Sequence, residues 1–269
     1  MIKPRGVVVC VNYDDILRIT LPWNLEYLSE CCVITSLTDE RTADYVKSIH
    51  GARVFQTDAF TRYGAKFNKG LAIEEGLDFF GRDGWMLIWD ADTAFPRNML
   101  IRDLEVGNLY GAKRRMIEKA SRSDLLGEWS SLPLAKDIEF AGFFQLFHAS
   151  DFVLRQKPWY DPTFIHAGGG DAFFQSLWGI RSKIRLDIEC LHIGPRDQNW
   201  YGRVSQRLDG EPNEDVLRRK ESMTNMKRSN GWIKDGKKVI RVKDRVKIPG
   251  YTSTFIWHRS NPETDVINP

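Results

Sequence analysis

Three short apolar or β-branched runs, separated by segments with helical patterning, dominate the first third of the chain and constrain its fold most. They cover residues 6–11, 31–36 and 85–89, and a shorter strand is predicted between the last two at residues 53–56. Apolar runs of this length are typical of strands buried on both faces. Strands that alternate with helices pair in parallel, so the pattern predicts an open α/β sheet with helices on its faces. Such sheets bind ligands outside the carboxyl ends of their strands.

The segments between the runs predict helices. The first is expected over residues 14–21 and to end near Pro22, because proline disfavours the α conformation in the residue before it. The second begins at a cap provided by Thr38 or Asp39. The clearest helix is predicted over residues 64–80, where an apolar stripe lies opposite a charged face.

The second half of the chain is less regular and ends in a basic segment. Strands are predicted at residues 142–147 and 184–191, and a helix at 171–178. Residues 1–200 carry 24 Lys and Arg against 27 Asp and Glu, whereas residues 201–259 carry 15 against 7. The chain therefore has a basic, partly irregular C-terminal extension, in which residues 239–248 alternate like a hairpin or an edge strand. Its excess charge faces either phosphate or only solvent.

Composition excludes several classes of protein. A hydrophobic content of 42% with 28% charged residues is that of a globular chain. No stretch approaches the roughly 18 apolar residues of a membrane helix, and the start shows no signal peptide, so a soluble, cytoplasmic protein is expected. The four cysteines lack the paired spacing of a zinc site and are expected to be buried free thiols.

The triplet Asp90-Ala91-Asp92 follows the strand predicted at residues 85–89. In extended geometry residues two apart point the same way, so both carboxylates can face one ligand. Hard divalent cations prefer oxygen ligands and leave positions open for phosphate oxygens. Two surface aspartates in a turn are the alternative, and a bare Asp-x-Asp is common by chance. The place of the triplet after a buried strand favours a metal site.

Four motifs in this order resemble the GT-A-fold nucleotide-sugar glycosyltransferases of the family-2-like, inverting kind, over roughly residues 6–200. The motifs are Val9-Cys10-Val11-Asn12-Tyr13, Val33-Ile34-Thr35-Ser36 with Asp39, Lys66-Phe67-Asn68-Lys69-Gly70 and Asp90-Ala91-Asp92. The resemblance implies a Rossmann-like, open mixed sheet flanked by helices. It also implies a nucleotide-binding half at about residues 1–95 and an acceptor half at 96–200, with residues 201–269 packed on them as the extension.

The resemblance assigns donor contacts residue by residue. It implies that the nucleotide base is held by Val11, Asn12, Tyr13 and Asp39. By the same resemblance, the ribose and diphosphate lie near Asn68, Lys69, Asp90 and Ala91. A lysine at a helix N-terminus is also a sensible phosphate partner on physical grounds, although an ordinary exposed lysine is the alternative.

Two downstream residues complete the predicted site. Asp171 follows Gly168-Gly169-Gly170 and resembles the catalytic base of inverting GT-A enzymes, which takes the proton of the attacking hydroxyl. A helix N-cap is its alternative role. His192 resembles the third metal ligand of many GT-A enzymes, beside Asp92 and Asp90. An imidazole ligand suits Mn²⁺ better than Mg²⁺.

The resemblance, together with these residues, therefore implies metal-dependent transfer of a sugar, from a UDP-linked donor, to an acceptor hydroxyl with inversion. The sequence leaves the acceptor open among a glycan, a protein and modified DNA. Two alternatives stay open. One is a metal-dependent nucleotidyltransferase, which would more naturally carry a glycine-rich loop where this chain has Asn12-Tyr13-Asp14-Asp15. The other is a nucleic-acid-binding chain that glycosylates hydroxylated bases in DNA, suggested by basic runs such as Lys113-Arg114-Arg115.

Overall fold

The computed structural model describes residues 1–135, 140–194, 199–211, 245–249 and 251, and these form a single mixed sheet with helices on its faces. The strands are β1 Arg5–Val9, β2 Glu30–Ser36, β3 Ala52–Thr57, β4 Trp85–Asp90, β5 Thr93–Ala94, β6 Leu109–Ile117, β7 Phe144–His148 and β8 Lys183–Ile193. The α-helices are α1 Asp14–Asn24, α2 Glu40–Lys47, α3 Lys69–Phe80 and α4 Gly170–Ser176. Among the described residues, no helix is both long and apolar enough to cross a bilayer.

The sheet has the order β3-β2-β1-β4-β7-β6-β8-β5. The first four strands of this order are parallel, and their register brings Val9 opposite both Ile34 and Asp90. Beyond them β7 runs antiparallel to β4 and β6, while β6 and β8 are parallel. The predicted open α/β sheet is thus confirmed, with parallel pairing in the first half and mixed pairing in the second.

The apolar strands are buried on both faces because helices cover each side. On one face Val8 and Leu87 pack in a cluster with Leu17 of α1. On the other face Val7 and Ile88 belong to a cluster that includes helix α3. Neighbouring residues of one strand point to opposite faces, so a continuous apolar run fills both layers. All four cysteines are buried free thiols, as predicted.

Helix α1 continues to Asn24, so the prediction that it ends near Pro22 was wrong. Tertiary hydrogen bonds hold its last turn in place. Trp23 Nε1 donates to the carbonyl of Phe95 at 2.7 Å, and Asn24 Nδ2 donates to the carbonyl of Thr93 at 2.8 Å. The Phe95 N–H in turn donates to Asn24 Oδ1 at 2.9 Å. These bonds compensate for the helical hydrogen bond that Pro22 cannot make. They also hold the chain that follows Asp90-Ala91-Asp92 against the end of α1.

Replacing Asn24 by alanine is expected to lower the free energy of unfolding by about 2–5 kcal/mol. The side chain is fully buried, and its loss leaves the Thr93 carbonyl and the Phe95 N–H unpaired, each costing about 1–3 kcal/mol. Urea unfolding followed by circular dichroism measures the change. Gln156→Ala, which removes an exposed amide, is the control and should leave the unfolding midpoint unchanged. A loss below 1 kcal/mol for Asn24→Ala would contradict this account of the α1 terminus.

Helix α3 begins at Lys69, five residues later than predicted. The N–H groups of Lys66 and Phe67 both donate to the carbonyl of Ile165 at 2.9 Å, so this segment is tied to a distant loop instead of to its own helix. The side chain of Asn68 then caps the helix by accepting from the Leu71 N–H at 2.9 Å. This late start leaves Lys69 in the first turn of α3, at the carboxyl edge of the sheet.

Strand β6 was not predicted, because Lys113-Arg114-Arg115 interrupts its apolar pattern. Pairing with β8 accounts for much of that charge: Arg115 Nε lies 2.6 Å from Glu189 Oε2 and Lys113 Nζ lies 3.8 Å from Glu189 Oε1. The Arg114 guanidinium lies over the ring of Phe143. This basic run is therefore part of the sheet. Of the hairpin predicted at residues 239–248, residues 239–244 lie outside the described part of the chain.

Candidate active site

Three charged side chains from separate elements meet at the carboxyl edge of the sheet. Asp90 ends β4, Lys69 begins α3 and Asp171 lies in the first turn of α4. Lys69 Nζ lies 2.8 Å from Asp90 Oδ1 and 3.6 Å from Asp171 Oδ1. Lys69 therefore lies between Asp90, at the end of strand β4, and Asp171, directly after the three glycines.

Lys69 is not an ordinary exposed lysine. Its side chain is about 10% exposed, and its ammonium group faces two carboxylates. Burial alone would favour the neutral amine, but the charges of Asp171 and Asp90 outweigh it and raise the pKa of Lys69 above its usual value. A fixed positive charge is therefore held beside Asp90 at neutral pH.

Asp171 does not act as a helix cap. The N-cap of α4 is Gly169, and no side chain caps that helix. Asp171 instead points towards Gly142, where an added Cβ would lie 2.4 Å from Asp171 Oδ2. Burial raises the pKa of Asp171, and Lys69 opposes that rise. Asp171 Oδ1 is buried and makes no short hydrogen bond among the described residues, and the Lys69 ammonium lies 3.6 Å from it. This oxygen can therefore still accept a hydrogen bond from a ligand.

Asp92 and His192 form a second pair close to Asp90. Strand β5 pairs with β8 so that Thr93 lies opposite His192, and His192 Nδ1 lies 3.3 Å from Asp92 Oδ1. Burial opposes ionisation of Asp92, but the charge of His192 outweighs it and lowers the Asp92 pKa. The reciprocal attraction of Asp92 raises the pKa of His192 despite burial.

The Asp92–His192 pair fits a divalent metal ion. His192 Nε2 is buried without a hydrogen-bonding partner in the described part of the chain, where Asp92 Oδ1 and His192 Nδ1 face each other at 3.3 Å. Unpaired buried polar atoms are costly unless a ligand satisfies them. A carboxylate with an imidazole suits Mn²⁺. Among the described residues no group of three or more His, Cys, Asp or Glu side chains is arranged to hold a metal. The protein would thus supply few of the atoms that coordinate the metal, and a bound small molecule would supply the others.

The loop after β1 holds Val11, Asn12 and Tyr13 at the same edge of the sheet. The Asn12 N–H donates to Asp39 Oδ2 at 2.6 Å, and Asn12 adopts a positive φ of 59°, which asparagine tolerates better than most residues. Asp39 also caps α2 by accepting from the Thr42 N–H at 3.2 Å, as predicted from the sequence. Asp39 thus shapes the loop, and its contact with a nucleotide base stays a prediction.

Three residues assigned to the donor are enclosed or already bonded within the protein. Val11 is mostly enclosed in the core, and the Ala91 carbonyl accepts from Thr20 Oγ1 at 2.7 Å. Asn68 is fully buried, and besides capping α3 it donates from Nδ2 to the Pro162 carbonyl at 2.6 Å. Donor contacts of Val11, Asn68 and Ala91 stay predictions.

Sequence reasoning missed two polar residues near the site. Gln145 is fully buried in β7 and donates to the backbone carbonyl of Asp171 at 3.3 Å, while Tyr160 donates to its Oε1. A glutamine inside an apolar strand is the signal that could have identified it. Arg203 is buried against the loop after β1, and no local pattern distinguishes it from the other arginines of the extension.

The aromatic residues near the glycine run mostly belong to the core. Trp159, Tyr160 and Trp178 are buried in one cluster. Trp200 and Tyr201 lie beside the buried His166, with ring centroids 6.3 and 5.1 Å from the imidazole. His166 therefore belongs to an aromatic group under the glycine run, and its Nδ1 accepts from the Gly168 N–H at 2.9 Å.

Comparison with known proteins shows the fold. No protein-family model and no curated protein matches this sequence. Among solved structures, the chain is similar to GalNAc-T7 with UDP, GalNAc and Mn²⁺, at a TM-score of 0.50 and 14% identity over 72% of this chain. The match spans 44% of the GalNAc-T7 chain, less than half of its length. It confirms the predicted GT-A-like, Rossmann-like fold.

Two further likenesses have lower TM-scores. TarS from S. aureus gives a TM-score of 0.45 with 11% identity, over 70% of this chain and 36% of that one. Glucosyl-3-phosphoglycerate synthase from Mycobacterium tuberculosis, in complex with Mn²⁺, UDP and glucosyl-3-phosphoglycerate, gives 0.43 with 14% identity, over 87% of this chain and 82% of that one.

Proposed function

We propose that this chain is a metal-dependent glycosyltransferase that moves a sugar from a nucleotide diphosphate donor to an acceptor hydroxyl with inversion. The observation that carries the proposal is the ammonium group of Lys69, which lies 2.8 Å from Asp90 and 3.6 Å from Asp171. Lys69 thereby links Asp171, whose pKa is raised, to Asp90 of the Asp-x-Asp triplet, which also contains Asp92 of the Asp92–His192 pair. A base for the acceptor and a cationic site for the donor are thus adjacent.

In the proposed reaction Asp171 accepts the proton of the acceptor hydroxyl as its oxygen attacks the anomeric carbon. The new carbon–oxygen bond forms on the face of the anomeric carbon opposite the diphosphate. The bond between the anomeric carbon and the diphosphate breaks, and the nucleoside diphosphate leaves with the electron pair of that bond. A raised pKa suits Asp171 for this task, because a general base works best when its pKa approaches the operating pH. Lys69 balances the negative charge of the neighbouring Asp90 and also places a positive charge near the phosphates of the donor.

Asp92 and His192 are the residues proposed to hold the metal ion, with Asp90 next to them. A divalent cation bound there would stabilise the charge that develops on the leaving diphosphate. Mn²⁺ is the proposed ion, and UDP the proposed nucleotide. The imidazole ligand supports the choice of Mn²⁺. The GalNAc-T7 structure, which contains UDP, GalNAc and Mn²⁺, supports both choices.

The product identifies the reaction. Purified protein is incubated with Mn²⁺ and, in separate assays, a panel of nucleotide sugars or a nucleoside triphosphate with a sugar phosphate, and both nucleoside diphosphate and pyrophosphate are measured. We expect nucleoside diphosphate release from a UDP-sugar that depends on Mn²⁺. Pyrophosphate release from a nucleoside triphosphate with a sugar phosphate would instead identify a nucleotidyltransferase and overturn the proposal. Heat-denatured protein is the control for uncatalysed hydrolysis of the donor.

A further inference from the structure

The segment of residues 199–211 packs against the start of α1, far away in the sequence. Its Arg203 side chain is 0% exposed and forms a two-pronged ion pair with Asp15, in which Nη2 lies 2.9 Å from Oδ2 and Nη1 pairs with Oδ1. The Leu208 N–H donates to the same Asp15 Oδ2 at 2.6 Å. A second pair lies beside it, with Arg207 Nη1 2.7 Å from Asp14 Oδ1. We name these two ion pairs, Arg203–Asp15 and Arg207–Asp14, the clamp.

The clamp also contacts the loop after β1 directly. Arg203 Nη1 donates to the backbone carbonyl of Asn12 at 2.8 Å. The Arg203 guanidinium lies over the ring of Tyr13, 4.6 Å from its centroid. One buried arginine therefore holds the backbone of one residue of the loop and the side chain of the next, while Asp39 holds the same loop from the other side through the Asn12 N–H.

Stability alone is a poor explanation for such an arrangement. Removing two charges from water is costly, and apolar side chains of similar volume often stabilise a fold as well or better. A planar guanidinium that makes bidentate and stacked contacts does, however, fix direction as well as distance. Asn12 has a positive φ of 59°, so its backbone conformation depends on contacts that hold it there.

We propose that Arg203 is a positioning residue for donor binding. Through Asp15, the Asn12 carbonyl and the Tyr13 ring it keeps residues 11–13 in the shape that receives the nucleotide. This inference rests on the proposed function, because it assigns those three residues to the donor pocket. It also makes the segment of residues 199–211 part of that pocket's support, although no residue of that segment was assigned to donor binding.

Arg203→Lys tests the inference, because lysine keeps the charge but cannot make the bidentate and stacked contacts. We expect the Kd of the nucleoside diphosphate, measured by calorimetry with Mn²⁺, to rise about 10- to 100-fold, since small errors in positioning have effects of this size. The KM for the donor should rise in parallel, while kcat at saturating donor and the KM for the acceptor stay within about twofold. Asp15→Asn should shift the same two donor constants in the same direction.

The matched control is Arg82→Lys. Arg82 lies after the far end of α3, where Nη2 is 2.9 Å from Glu74 Oε2 and 2.9 Å from the Glu74 carbonyl, and it lies over the ring of Trp159. It therefore makes the same kinds of contact as Arg203, away from the carboxyl edge of the sheet. Arg82→Lys should lower the melting temperature and leave the nucleotide Kd unchanged.

The outcomes separate the inference from the proposed function. If wild-type protein binds a nucleoside diphosphate and Arg203→Lys and Asp15→Asn bind it equally well, the positioning role is overturned while the function stands. If both variants fail to fold while Arg82→Lys folds, the clamp holds the whole fold, which also overturns the assignment. If wild-type protein binds no member of a nucleoside diphosphate panel, the proposed function itself fails.

Discussion

Replacing Asp171 by asparagine is expected to reduce sugar transfer roughly 10²- to 10⁴-fold, the range that a general base contributes. Asparagine has nearly the same shape and keeps the space opposite Gly142 filled, but it cannot accept the proton of the acceptor hydroxyl. Donor affinity should be retained, because Lys69 still pairs with Asp90 at 2.8 Å. The measurements are the rate of transfer to an acceptor and the Kd of the nucleoside diphosphate.

Asp44→Asn is the matched control for this variant. Asp44 is an exposed aspartate on α2 that pairs with Lys47 at 3.0 Å within the same helix. It should transfer sugar at the wild-type rate. Transfer that survives in Asp171→Asn at more than about a tenth of the wild-type rate would contradict general base catalysis, whose loss is expected to cost at least 10²-fold. The raised pKa of Asp171 would then reflect burial beside Asp90 without a catalytic role.

The first half of the fold could be predicted because local sequence and tertiary structure agree there. Strands β1, β2 and β4 are apolar runs that fill both layers of the core, whereas β3 is a partly exposed edge strand. The pairing of all four follows from the helices between them. The predictions fail where distant contacts override local preference. Helix α1 passes through Pro22 because Asn24 is bonded to residues 93 and 95, and β6 forms through charges that pair with β8.

The candidate site also contains both residues that local sequence can identify and residues that only distant contacts reveal. Asp90, Asp92, Asp171 and His192 could be named as candidates because each lies at or just after the end of a predicted strand or follows a glycine run, and the fold brings them to one edge of the sheet. Their roles stay predictions. Arg203 could not be found, because its partner Asp15 is 188 residues away and nothing in the local sequence links the two. Burial and pairing of charges over such distances become visible only once the chain is folded.

Replacing Asp92 by alanine is expected to remove the dependence of transfer on Mn²⁺ and to lower the rate with Mn²⁺ about 10³-fold. A metal ion supplies several kcal/mol of charge stabilisation in the transition state, and each 1.36 kcal/mol corresponds to about tenfold in rate. Asp92 provides the carboxylate, whose buried Oδ1 faces His192 Nδ1 at 3.3 Å. Nucleoside diphosphate release is measured for wild type and variant, each with Mn²⁺ and with a chelator.

Two further variants make this prediction decisive. His192→Ala removes the other side of the pair, 3.3 Å from Asp92 Oδ1, and should reproduce both the lower rate and the loss of Mn²⁺ dependence. Asp187→Ala removes an aspartate that is fully exposed on the same strand as His192 and should behave as wild type. Equal activity of wild type and Asp92→Ala, with and without Mn²⁺, would show that the metal has no part in the reaction. The buried Nε2 of His192, which has no hydrogen-bonding partner among the described residues, would then need another ligand, and the donor itself is the next one to test by calorimetry without metal.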